Sequence, residues 1–358
     1  MNWPTKKLGE VIEISYGKGL PKDSRVDSGK YFAYGSNGPV YSTDESLTNG
    51  ETIVIGRKGT AGALYFISDP CWPIDTTFFA KPKNDASLKF VYYFLRTKRL
   101  PKLAIVTGVP GINRTTLANI DVQLPPLGTQ KQIVERLDKI AEAQKLNDGL
   151  IQKTDELFQS LLHKELNPAG KDWEVEKLGL VFNRITDAIL PTKHPEQKFN
   201  FIGLENIESD TSRLVNISPV QGKFIKSTKT RFKIGDVLYG KLRPYLNKVW
   251  LADFDGICST DIWALRAKEG IILPQLLGAI LQQSSIVQKS SASMAGANLP
   301  RANKDIFDKI AIALPPLEIQ KQIVAKLSAV QDYKKQLLEQ KAKLKELFDS
   351  ALTRSMKS

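Results

Sequence analysis

Histidine, cysteine and methionine are scarce in this chain: two, two and three of 358 residues. The two cysteines, Cys71 and Cys258, fall one in each half. They exclude a disulfide framework and fit a reducing cytoplasm, with both thiols expected as small buried hydrophobes. His163 and His194, with cysteines so far apart, cannot assemble a zinc site. His163 lies near an expected helix end, where terminal carbonyls are its natural partners. No apolar run approaches the roughly 18 residues of a membrane span. The first seven residues lead into no apolar signal core, so secretion is not expected. No G-x-G-x-x-G follows a strand. Gly235–Lys241 has P-loop spacing, but Leu242 stands where a Ser or Thr must meet the metal. Neither Asn-Pro-Pro-Tyr nor Asp-Pro-Pro-Tyr occurs, so an adenine-methylating active site is not carried here. Asp253 and Asp255 fit a loop better than an acid–base pair. These absences call for no catalytic residue, no metal and no cofactor, and describe a binder and scaffold.

What is present is positive charge and repetition. A net charge of +13 points to a polyanionic partner, because surplus Lys and Arg neutralise phosphates well. Leu124-Pro125-Pro126-Leu127 with Gln130-Lys131-Gln132-Ile133-Val134 returns 190 residues later as Leu314-Pro315-Pro316-Leu317 with Gln320-Lys321-Gln322-Ile323-Val324. Glu156-Leu157-Phe158 returns as Glu346-Leu347-Phe348 at the same offset, whereas Trp3 and Lys7-Leu8-Gly9 meet Trp173 and Lys177-Leu178-Gly179 at an offset of 170. Solenoid periods run at roughly 20 to 50 residues. A repeat this long is a whole module copied, with twenty extra residues in the second globular part and none in the parts that follow.

The copies divide into four segments: a globular domain at 1–123, a helix at 124–168, a second globular domain at 169–313 and a second helix at 314–358. Short β-rich runs at 51–55 and 63–67 sit between Gly and Asp-Pro punctuation, and 236–239 and 248–251 match them. Helices are expected at 88–99 and 274–288. The runs 128–164 and 318–356 contain no proline and follow a Pro-Pro that cannot lie inside a helix. Ile133, Leu137, Ile140, Ile151, Thr154, Phe158 and Leu161 form one apolar seam, interrupted by Gln144 and Asn147. Ile323, Leu327, Val330, Leu337, Leu344, Phe348 and Ala351 form its equivalent, broken by Lys334 and Lys341. Each helix would be about 55 Å long, unstable alone with one apolar stripe. The expected fold class is therefore α+β: two mixed domains separated by two long helices packed as an antiparallel coiled coil, pseudo-two-fold overall.

The candidates for phosphate or base contact are all basic. Arg57-Lys58 and Lys241 with Arg243 lie in corresponding Gly-rich turns after matched strands, and arginine can read guanine bidentately. Arg114 and Arg301 lie in paired Gly/Pro/Asn loops at 108–115 and 296–304, for which turn chemistry alone is the conservative account. Residues 223–233 hold five cations and two aromatics. They read either as a loop offering Lys223, Lys226, Lys229 and Arg231 to phosphates or as a solvated edge strand guarded by lysines.

With its basic domain, Leu-Pro-Pro-Leu, Gln-Lys-Gln-Ile-Val and long helix, all repeated, the chain closely resembles the specificity (S) subunit of type I restriction–modification enzymes. The resemblance covers essentially the whole chain, and the motifs at 124–134 and 314–324 are its most specific part. Thr129 and Ile319 depart from the family motif, which often has Glu there. The resemblance implies a non-catalytic subunit in which each globular part reads one half of a split site on double-stranded DNA. The helices would space the half-sites and dock two methyltransferase subunits, with restriction and motor subunits joining later. A stand-alone two-headed DNA-binding or architectural protein is the alternative, and pull-down of a large methyltransferase separates the two.

Overall fold

A computed structural model describes residues 3–83, 86–105, 108–167, 169–292, 294 and 299–356. By internal contacts the chain divides into two units, Met1–Gly149 with Leu338–Ser358, and Leu150–Leu337. The fold is α+β, with small, mostly antiparallel sheets beside helices in each unit, one sheet in each also holding a parallel pair.

In the first unit the central sheet runs Ile12–Tyr16, Thr77–Pro82, Thr52–Gly56, Leu64–Ile67. Thr52–Gly56 is buried along its whole length, as expected of an inner strand covered on both faces. Helix Leu88–Arg96 packs its apolar stripe on this sheet, with Phe90, Val91 and Leu95 fully buried. The helix ends at Arg96, short of the expected 99, and Arg99 takes a left-handed conformation. Thr5–Lys7 pairs with Asp121–Gln123, so the two ends of the globular part close on each other.

The second unit repeats this order. Its sheet runs Phe182–Arg184, Ile262–Ala267, Val237–Gly240, Val249–Leu251, and Glu174–Lys177 pairs with Ala311–Leu314. Equivalent ladder positions trace the extra residues. The offset is 170 at Ile14 and Arg184, 184 at Gly56 and Gly240, 185 at Phe78 and Trp263, and 190 at Pro110 and Pro300. The additional chain is thus not one block of twenty. Most of it precedes the Val237–Gly240 strand. The second sheet of this unit has four strands, Ala188–Ile189, Lys229–Phe232, Gly256–Cys258 and Phe201–Ile202, where that of the first unit has three, Gly38–Thr43, Tyr31–Gly35 and Trp72–Pro73. The helix expected over 274–288 is two helices, Pro274–Leu281 and Ser284–Ala292, separated at Gln282 and Gln283.

The long helices span Leu127–Glu165 and Leu317–Ser355. Both start after Pro-Pro, with the Gln130 and Gln320 amides already bonded to the Pro126 and Pro316 carbonyls. Within each unit the two helices run antiparallel. In the first, Leu137 and Ile140 share a core with Phe348, Ala351 and Leu352, and Lys341 pairs with Asp148 at 2.9 Å. In the second, Phe158 and Leu162 share a core with Ile323 and Leu327, and Lys326 pairs with Glu165 at 2.8 Å. Leu162, not Leu161, is the fully buried member of its turn. The polar breaks in the seams are partnered: Gln144 donates to the Leu344 carbonyl at 3.1 Å, and Lys334 binds Asp155. Among the described residues, no helix is long and apolar enough to cross a membrane. Cys71 and Cys258 are both buried.

Candidate nucleic-acid interface

In each unit, the chain leaving the central strand makes a cationic turn that is hydrogen-bonded to the loop before the closing strand. In the first unit the turn is Arg57-Lys58-Gly59. Gly59 N–H donates to Pro110 O at 3.1 Å, Ile112 N–H donates to Arg57 O at 3.0 Å, and Lys58 bridges Gly111. In the second it is Lys241-Leu242-Arg243. Arg243 N–H donates to Pro300 O and Ala302 N–H to Lys241 O, each at 2.8 Å, while Leu242 bridges Arg301. The backbone pattern is the same, so equivalence can be assigned residue by residue. Arg57 matches Lys241, Lys58 matches Leu242, Gly59 matches Arg243, and Gly111 matches Arg301. Within the turn the expected pairing of basic residues therefore holds strictly only for Arg57 and Lys241, and in the facing loop Arg114 matches Lys304 rather than Arg301. The remaining charges occupy different positions of one shared frame.

Aromatic rings fix the cations. The Arg57 guanidinium lies over Tyr16 at 5.3 Å and Phe78 at 6.0 Å, and that of Arg114 lies over Tyr16 at 5.4 Å. Tyr16 is half exposed, and the Nε of Arg57 is buried with no hydrogen-bond partner among the described residues. In the second unit Trp263, at the position of Phe78, carries Lys241 at 5.8 Å and Arg184 at 4.4 Å. Arg184 also makes a two-pronged pair with Asp308, at 2.8 and 3.2 Å. Such contacts stabilise the charge by roughly 0.5–1 kcal/mol at exposed sites, which biases the side chain toward the ring but is less than the roughly 2 kcal/mol of its rotamer entropy. Partial burial pushes the Lys241 amine below its usual pKa. Asp261 opposes this shift, while Arg301 and Arg184 add to it. Arg301 is held by Asp261 at 3.0 Å.

Arg243 carries backbone strain. Its φ is +51°, where its counterpart Gly59 has +78°. Glycine occupies that region at no steric cost, whereas an L side chain loses roughly 1–2 kcal/mol there. The Arg243 side chain remains exposed.

The segment 223–233 corrects both expectations for it. It is neither a loop throughout nor an edge strand: Lys229–Phe232 lies inside its sheet, between Ala188–Ile189 and Gly256–Cys258. Lys229 is only 9% exposed, its amine bonded to Ser227 Oγ at 2.6 Å and set over the Phe201 ring. It is not available to a phosphate without leaving that pocket. Arg231 pairs with Asp187 at 3.1 Å and Lys223 with Glu196 at 3.5 Å, both at the surface, and Lys226 is exposed. The P-loop spacing at 235–241 is a turn into a strand: Asp236 is buried and takes Arg266 in two hydrogen bonds, at 2.7 and 2.8 Å. Asp255 caps a loop, accepting from Ile234 N–H at 2.7 Å. Gly296, Ala297 and Asn298 of the second paired loop lie outside the described residues.

Sequence reading missed Tyr16, Arg184 and Trp263, which meet the cations only through cross-strand pairing. It also missed the role of Gln130 and Gln320. Both are buried. Gln130 accepts from Ser87 N–H at 2.9 Å and donates to Pro125 O at 2.8 Å. Gln320 accepts from Leu273 N–H at 2.9 Å and donates to Ile271 O and Pro315 O. The repeated glutamine ties the start of each long helix to the globular part beside it.

The chain belongs to the family described as the type I restriction modification DNA specificity domain, which matches residues 1–154 and again 170–347. It is 23% identical to the type I restriction enzyme EcoDI specificity subunit of Escherichia coli, covering 100% of this chain and 88% of that one. It is 24% identical to the MjaVIII specificity subunit of Methanocaldococcus jannaschii, covering 99% and 91%. The fold matches a crystal structure of the type I restriction–modification S subunit from M. genitalium, with a TM-score of 0.67 and 16% identity over 100% of this chain and 97% of that one. A second match is to a chain from a structural study of type I restriction–modification complex assembly, at 0.61 and 17% over 100% and 98%.

Proposed function

We propose that this chain is the DNA-recognition subunit of a type I restriction–modification complex, reading a bipartite site with segments 1–123 and 169–313. Segments 124–168 and 314–358 then set the spacing of the half-sites and seat two methyltransferase subunits, to which restriction and motor subunits are added. The chain supplies recognition and no catalytic group of its own. The observation that carries this reading is the duplicated cationic turn: the same hydrogen-bonded frame, at the end of the same strand, presents a different set of charges in each unit. A shared frame with exchanged side chains suits two modules that grip the same backbone and read different bases. Arg57, Lys58 and Arg114 serve the first half-site, and Lys241, Arg243 and Arg301 the second. Lys226 adds backbone contact, and Lys223 and Arg231 do so after exchanging Glu196 and Asp187 for phosphate.

Methylome sequencing of a host with and without the gene tests this. The reading expects one split motif, methylated only when the gene is present. An unchanged methylome, with a methyltransferase subunit co-purifying normally, would contradict it. Purified alone, the chain should transfer no methyl group from S-adenosylmethionine to DNA.

A further inference from the structure

Two exposed aliphatic side chains occupy the same place in the duplicated frame. Val109 precedes Pro110, whose carbonyl accepts from Gly59, and Leu299 precedes Pro300, whose carbonyl accepts from Arg243. Val109 is 71% exposed and Leu299 49%. A single exposed valine or leucine is ordinary on a protein surface. The same position left apolar and uncovered in both copies is not explained that way, because neighbouring positions differ: Gly111 against Arg301, Ile112 against Ala302, and Thr115 against Asp305. Neither side chain contributes to a core cluster. The proline that follows fixes its own φ and narrows the backbone choices of the residue before it, so each side chain stands on a stiff tip.

The surroundings indicate what covers them. Each tip is hydrogen-bonded to a cationic turn, Arg57-Lys58 in one unit and Lys241 with Arg243 in the other, with Arg301 next to the second tip. A protein groove that takes an aliphatic anchor would have to desolvate those cations. Duplex DNA presents phosphates to the cations and, between them, an apolar feature on the base edges. In the major groove that feature is the 5-methyl group of thymine. We infer that Val109 and Leu299 are specificity-determining residues, each inserted between the phosphate contacts of its own unit to touch a thymine methyl in its own half-site. The inference rests on the DNA-recognition reading above and deepens it. The cations supply sequence-independent grip, and the aliphatic tip supplies part of the discrimination.

The test uses the full chain assembled with its methyltransferase subunits. Binding is measured to a duplex carrying the methylated site and to a scrambled duplex, across a series of salt concentrations. Val109→Ser and Leu299→Ser change exposed residues, and melting temperatures confirm that each variant folds. Each should weaken binding to the cognate duplex roughly fourfold, the worth of one buried methyl group, while affinity for scrambled DNA and the salt slope stay unchanged. Replacing thymines by uracil one at a time should locate a position in each half-site where the wild type loses affinity and the matching variant loses no more. Equal loss on both duplexes, no loss on either, or absence of any thymine with that behaviour would overturn the inference. So would a variant that binds DNA normally but no longer retains the methyltransferase subunits, since the tips would then be a protein-docking feature. Failure of the wild-type complex to prefer its own site would instead count against the recognition reading.

Discussion

The side-chain oxygen of Gln130 accepts the backbone N–H of Ser87 at 2.9 Å, across 43 residues of sequence, from inside the first turns of a long helix. Ser87 caps the helix Leu88–Arg96, its own hydroxyl accepting from Phe90 N–H at 3.3 Å. One buried amide therefore ties the globular part to the first turn of the helix that follows it. Gln320 does the same to Leu273, at the head of Pro274–Leu281.

Gln130→Ala and Gln320→Ala leave a backbone donor and one or two carbonyls buried without partners. Each unsatisfied group costs about 1–3 kcal/mol. Denaturation of each variant should show a loss of that order, the larger at Gln320, which makes three bonds to the two of Gln130. DNA salt slopes should not move, because neither side chain reaches the surface.

Asp236→Ala removes the buried end of the pair with Arg266 and the acceptor for Lys233 N–H. A fully buried pair broken on one side costs roughly 3–5 kcal/mol. Arg266 is 44% exposed and can turn to water, so a loss of about 2–3 kcal/mol is expected by urea unfolding.

Arg243→Gly separates strain from function. Relief of roughly 1–2 kcal/mol of left-handed strain is offset by about 0.5–1 kcal/mol of glycine entropy. Stability should thus change little or rise, while affinity for the second half-site falls. A variant that lost stability and kept its affinity would show that Arg243 only holds the turn.

Lys226→Ala should lower the salt slope of DNA binding by about one, as a lost phosphate contact does. Lys229→Ala should leave the slope alone and lower the melting temperature, because that amine is spent on Ser227 and Phe201.

The Lys241 amine is pushed down by its partial burial and by Arg301 and Arg184, against the pull of Asp261. As a proposed phosphate contact it acts only while protonated. Affinity should therefore be complete below its lowered pKa and decline as pH rises through it, earlier than for an exposed lysine. Lys241→Arg stays charged and should flatten that alkaline limb.

Much of the architecture was legible because the repeat is written in residues whose physics is local. Pro-Pro stops a helix on one side, and a seam of Ile, Leu and Phe obliges the helix that follows to find a partner. What was hidden depends on pairing between distant strands. Nothing near Trp263 in sequence says that Lys241 and Arg184 lie over its ring, and Tyr16 meets Arg57 only because Ile12–Tyr16 runs beside Thr77–Pro82. Lysine spacing at 223–233 looked like a solvated surface, but burial of Lys229, at the start of an inner strand, is set by the sheet around it. The break at Gln282 and Gln283 carries neither Gly nor Pro, so no local signal announced it.

On the proposed function, each globular segment reads its own half of a divided DNA site. Replacing residues 1–123 with the corresponding segment of a family relative, and sequencing the methylome of a host expressing the chimera with its methyltransferase, tests it most directly. The account predicts a new motif in which one half has changed and the other half and the spacing are retained. A motif altered in both halves, or one unchanged despite stable expression of the chimera, would contradict it.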